Sequence, residues 1–141
     1  MKYIFFTILT LGLLATASQS KAQDSVINCA SVSSVPNSIV KYGIASYYAK
    51  KFEGRETTTG AIFRAALLTA ACNTLPLNTW VRVTNLKNNK CVIVVINDRM
   101  HHLNRRLIDL SPAAAKQLDY IGRGLTKVRV EVIPKPKKRL T

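Results

Sequence analysis

The residues best placed to do chemistry are Asn97-Asp98-Arg99, a polar triplet directly behind the most apolar strand candidate, Cys91 to Ile96. A polar group at the end of a buried strand is held on a rigid scaffold and can be presented to a ligand. Asp98 could donate or accept a proton with Arg99 tuning it, or the two could simply close a turn as an ion pair. Asp109, just before Leu110-Ser111, is better suited to holding loop backbone or supporting a helix start. Glycosidic bond cleavage usually needs two carboxyl groups. The chain has seven acids, and Asp24, Asp119 and Glu131 fall in a linker, at a helix end and on the polar side of a strand. Asp98 with Glu53 or Glu56 is the remaining pair. The adjacent His101 and His102 would point to opposite faces of a strand, and nothing in the spacing brings further ligands to either, so no metal is expected. Cys72 with a histidine could form a nucleophile pair, but the local signature for one is absent.

The elements that must position these residues are short. Gly43 to Tyr48 reads as a strand. Thr79 to Thr84 and Lys127 to Ile133 alternate, whereas Cys91 to Ile96 is continuously apolar, as in a strand buried on both faces. Asn85 to Lys90 is a polar hairpin connection. Ser111 is a good N-cap, Pro112 suits the first helical position, and Ala113 to Leu118 favours helix, with Gly122 or Gly124 ending it. Several short strands with one short helix suggest a small closed barrel.

The chain has 141 residues and a formal charge of +14. Lys2, the apolar run Tyr3 to Ala17 and the small residues around Lys21 read as a secretory signal peptide over 1–22. The run is too short for a spanning helix. A lipid-anchored export route would need a cysteine close behind that run, and Cys29 lies beyond it. Residues 23–40 read as a linker, 41–133 as the domain and 134–141 as a basic, solvated tail. Positive charge favours polyanionic partners. Export argues against nucleic acid and for cell-wall polymers, with the tail available to an anionic envelope surface. Three cysteines, Cys29, Cys72 and Cys91, leave the compartment's disulfide pairing open. Cys72–Cys91 is favoured because both lie inside the folded region.

In order along the chain, several motifs resemble the rare lipoprotein A (RlpA-like) family. They are Gly43-Ile44-Ala45-Ser46-Tyr47-Tyr48, Gly54-Arg55-x-Thr57-x-x-Gly60, Leu68-Thr69-Ala70-Ala71, Val81-Arg82-Val83-Thr84-Asn85-Leu86, Asn97-Asp98-Arg99 and Arg106-Leu107-Ile108-Asp109-Leu110-Ser111. The resemblance implies a mainly β fold, a six-stranded double-psi β-barrel with one or two short helices. It also implies a periplasmic or envelope location, soluble after signal-peptide cleavage, and no cofactor. The implied activity is endolytic lytic transglycosylation of naked peptidoglycan glycan strands. An acid protonates the glycosidic oxygen and the sugar's own 6-hydroxyl attacks, leaving a 1,6-anhydro-muramyl end.

The sequence departs from the family's pattern at three places. Ala61 stands where the family carries Glu, Cys72 where it carries His, and Met100-His101 where it reads Gly-Pro after Asn-Asp-Arg. The expected site is therefore degenerate, with Asp98 as the retained catalytic group. Tyr47, Tyr48, Arg55, Ala61, Cys72, Arg99 and Arg106 would contact substrate, and Trp80 offers a further stacking face. The alternative is a barrel that binds glycan strands without cutting them; a scaffold that recruits division proteins is more remote. The eight residues after Ile133 leave no room for the separate peptidoglycan-binding domain that often follows in the family.

Overall fold

A computed structural model describes residues 29, 32–33 and 35–137. The expected signal peptide and the last residues of the basic tail lie outside the described residues. Six strands form a closed barrel: β1 (Val40–Tyr47), β2 (Thr69–Ala71), β3 (Trp80–Asn85), β4 (Cys91–Asp98), β5 (Ile108–Leu110) and β6 (Thr126–Ile133). Their order around the barrel is β1-β5-β2-β4-β3-β6, and β6 closes onto β1. The β1/β5 and β2/β4 pairs are parallel; all others are antiparallel. Closure leaves no free sheet edge. No helix among the described residues is long and apolar enough to cross a membrane.

The alternation of β3, β4 and β6 fills the interior. Val81, Val83, Val92, Val94, Ile96, Val128 and Val130 join Ile108, Leu110 and Leu118 in one buried cluster. The continuous apolar run of β4 has a second reason. Its inward residues enter that core, while Cys91 and Ile93 face a smaller cluster outside it with Cys29, Val32, Trp80 and Ile133. The segment expected to be a linker thus covers part of the barrel, and Trp80 serves that packing and not a binding groove.

The disulfide differs from the expectation. Cys29 pairs with Cys91, and Cys72 is a buried free thiol. Cys72 follows β2 into the barrel interior, whereas Cys91 opens β4 on the outer face that Cys29 crosses. Arg82 fastens the same segment. Its guanidinium donates to the carbonyls of Cys29 (3.3 Å) and Val32 (2.6 Å) and forms a two-pronged pair with Glu131 at 3.0 and 3.1 Å.

Helix α1 (Pro112–Gln117) starts as its sequence dictates: the Ser111 hydroxyl accepts from the Ala114 N–H at 3.3 Å. It stops earlier than either glycine. Leu118 is its C-cap and Asp119 takes the left-handed conformation (φ 58°), one that Asp tolerates better than most residues. Gly43 in β1 is needed for close approach, since a Cβ there would lie 2.6 Å from the Leu107 Cβ.

Candidate functional site

One end of the barrel opens into a cleft of about 620 Å³, within the usual range for ligand sites. The end of β1, the end of β4, β5 and the loop over residues 49–63 converge there. The β2/β4 ladder slips at this point: Ala70 pairs with Ile96, but Ala71 pairs with Asp98. Asn97 is the extra residue of this bulge, and its carbonyl accepts the Thr59 N–H at 3.2 Å. Bulges re-aim side chains, and here the next residue, Asp98, turns onto the cleft wall.

Asp98 is held on both oxygens. Oδ2 accepts the Tyr48 hydroxyl at 2.7 Å. Oδ1 accepts the Thr58 N–H at 2.9 Å, the Thr58 hydroxyl at 2.7 Å and the Arg99 N–H at 2.8 Å. Burial alone would raise the Asp98 carboxyl, but the bonds from Thr58, Tyr48 and Arg99 outweigh it and keep it below the usual carboxylate range. Asp98 is therefore an anion at neutral pH. The Tyr48 phenol is pushed well above its ordinary value, first by burial and then by its bond to Asp98, so it remains a donor. Its ring stacks on Phe63 at 4.4 Å and meets Phe52 edge-on at 5.6 Å.

The other expected residues divide. Tyr47, Arg55, Arg99 and Arg106 line the cleft with Tyr48 and Asp98. The Tyr47 hydroxyl donates to the Ile121 carbonyl at 3.0 Å. The Arg55 guanidinium lies 5.4 Å from the Phe52 ring centre. Arg99 faces partly inward: its guanidinium donates to the carbonyls of Cys72 and Leu75, the latter at 2.6 Å, and so braces the β2–β3 connection. Arg106 pairs with Asp109 at 2.9 and 3.1 Å, and Asp109 also accepts the Ser46 hydroxyl at 2.6 Å. Asp109 thus anchors side chains of β1 and the 104–106 loop.

Ala61 and Cys72 are not brought onto the cleft wall. Ala61 sits exposed on the turn, where its carbonyl accepts the Thr57 N–H at 2.7 Å. Cys72 is fully buried in the barrel core. It meets Asp98 only through the backbone, its N–H donating to the Asp98 carbonyl at 3.2 Å. His101 lines the cleft and its ring lies 4.3 Å from that of His102. Among the described residues no group of three metal-ligating side chains includes them.

Sequence reasoning missed Thr58, which supplies two of the four donors to Asp98. The signal was present: Thr57-Thr58-Thr59-Gly60 is a turn with Gly60 at φ +86°, and Thr hydroxyls at turns commonly bond nearby groups. Sequence reasoning also assigned no role to Phe52 and Phe63, the aromatic walls beside Tyr48.

With this geometry in hand, comparison with known proteins is direct. The family described as lytic transglycolase, a double-psi β-barrel domain, matches residues 40–130. A curated relative from Haemophilus influenzae, endolytic peptidoglycan transglycosylase RlpA, is 51% identical over 96 residues, covering 68% of this chain and 33% of its own length. The protein of the same name from Pasteurella multocida is 56% identical over 91 residues, covering 64% and 31%. Among solved structures, a Streptomyces papain inhibitor aligns with TM-score 0.56 at 23% identity, covering 68% of this chain and 96% of its own. An expansin of Clavibacter michiganensis aligns with TM-score 0.57 at 19%, covering 71% and 53%. At those identities the structures speak to fold alone. The chain belongs to the RlpA-like lytic transglycolase family and has its six-stranded double-psi β-barrel. It spans about a third of the length of the curated relatives it matches.

Proposed function

We propose that this protein acts on peptidoglycan in the bacterial envelope as a lytic transglycosylase, cutting glycan strands without consuming water. The observation that carries the reading is Asp98, an anion fixed by four donors on the wall of an open, aromatic-lined cleft. Glycoside cleavage passes through an oxocarbenium-like transition state. A preorganised carboxylate beside the anomeric carbon stabilises that charge at no cost in reorganisation. Tyr47 and Phe52 offer apolar faces to sugar rings, and Arg55 and Arg106 offer donors to hydroxyl groups. The relatives' names support the substrate class. The apolar N-terminal run supports export to the periplasm, and the basic residues of the tail add attraction to anionic envelope polymers.

The test is digestion of glycan strands stripped of stem peptides, read by mass spectrometry. Anhydro-ended products are expected, with Asp98→Asn slower by about 10²-fold or more, the scale of removing one preorganised electrostatic group. Products with reducing ends would replace lytic cleavage by hydrolysis. Retention of strands with no new ends would favour the non-catalytic barrel, which the absence of Glu at position 61 also fits.

A further inference from the structure

Three carboxylates face the cleft, and two of them are fully engaged. Asp98 accepts four hydrogen bonds. Asp109 accepts from Ser46 and from two nitrogens of Arg106. The third, Glu56, lines the same cleft and forms no hydrogen bond or ion pair among the described residues. Glu53, the other acid of this loop, is committed elsewhere. It accepts the Ala65 N–H at 2.7 Å and lies 3.6 Å from Arg64, off the cleft wall.

Glu56 also sits beside the position where the family's glutamate is missing. A bridge pairs Glu56 with Ile62, and the Thr57 N–H donates to the Ala61 carbonyl at 2.7 Å. Residues 56 and 61 therefore sit on opposite arms of a single tight turn, one step out of register. The Glu56 carboxylate folds over that turn: Oε1 lies 3.6 Å from the point where a Cβ on Gly60 would stand. A carboxyl group thus occupies the rim next to residue 61, although position 61 is alanine.

We propose that Glu56 is the proton donor of this cleft, replacing from the opposite arm of the turn a glutamate at position 61. The inference rests on the lytic reading given above. In the forward step the Glu56 carboxylic acid gives its proton to the glycosidic oxygen and the bond from that oxygen to the anomeric carbon breaks. The 6-hydroxyl oxygen of the same sugar then bonds to the anomeric carbon, and its proton passes to the Glu56 carboxylate. The acid is restored, and no water, metal or redox partner enters. Asp98, held by four donors, faces the developing positive charge. Two carboxyl groups with such different surroundings are the usual means of dividing these roles.

The experiment uses protein purified from cells expressing the full chain, with naked glycan strands as substrate. Glu56→Gln is expected to lose about 10²- to 10⁴-fold in release of anhydro ends, the typical contribution of a general acid. It should still bind strands as wild type does, and Glu53→Gln should cleave normally. Adding Ala61→Glu to Glu56→Gln should recover cleavage, because the new carboxyl group stands across the same turn. Wild-type rates in Glu56→Gln would overturn the assignment and leave the lytic reading intact. A wild-type chain that produces no anhydro ends would instead remove the lytic reading, and the role of Glu56 with it.

Discussion

The Tyr48 hydroxyl and the Asp98 carboxylate meet at 2.7 Å, joining the residue that follows β1 to the last residue of β4. The two are 50 positions apart in sequence, and their bond ties the aromatic wall of the cleft to its fixed anion. Tyr48→Phe keeps the stacking on Phe63 and deletes only the donor. The expected result is an Asp98 carboxyl that titrates at higher pH by NMR. The expected stability loss is about 1.5 kcal/mol in urea unfolding, at the low end for charged hydrogen bonds because water can reach the vacated oxygen.

Acid sensitivity follows from the same group. The folded-state affinity of Asp98 for a proton is depressed, so its contribution to stability is present above the ordinary carboxylate range and is lost as pH falls through the folded value. Glu131, depressed chiefly by its bond to Arg82, acts in the same direction. Melting temperature should therefore decline as pH drops below about 4. Asp98→Asn should show a shallower decline over that window; an identical slope would mean Asp98 is not held as an anion.

Arg82 and Glu131 form a buried pair, with side chains 9% and 8% exposed. Glu131 also pairs with Arg129 at 3.2 Å, so removing Arg82 leaves the carboxylate one partner. Arg82→Met should therefore cost less than a fully stranded buried charge, which costs about 3–5 kcal/mol, measured by denaturant unfolding with the disulfide intact. The variant should also make the segment around Cys29 and Val32 more accessible to protease, since two of its carbonyls lose their donor.

The disulfide closes a loop with a sequence separation of 62. The chain-entropy estimate for a loop of that size is about 4 kcal/mol, so Cys29→Ser should lower stability on that scale. Peptide mapping without reduction should recover Cys29 joined to Cys91. Cys72 should resist thiol reagents until the barrel unfolds.

Much of the barrel is legible in the sequence because its long strands obey simple patterns. The continuous apolar run of β4 correctly signals burial on two sides, and Ser111-Pro112 marks the helix start. Strands β2 and β5 have three residues each, too few for any period to register, and only the family resemblance pointed to a six-stranded count. The helix end was read from glycines, whereas Asp119 supplies the left-handed turn. The disulfide escaped because an aperiodic segment gives no hint that it will lie across a sheet. At the site, Asp98 was legible from its place after β4. Its setting depends on a bulge and on a threonine 40 positions away, and neither leaves a local pattern. The turn geometry that separates Glu56 from Glu53 is likewise visible only in three dimensions.

The Cys29–Cys91 link also decides how this protein bears load. A pull applied ahead of Cys29 and resisted beyond the barrel passes through the sulfur bridge directly into β4. Everything between the two cysteines is bypassed, including β1, the turn carrying Glu56 and Thr58, and β2 and β3. While the bridge holds, tension runs through β4, β5 and β6, whereas β1, β2 and β3 lie in a slack loop. Reduction would place them in series with the force, so single-molecule extension should show barrel opening at lower force and with longer released contour in the reduced protein.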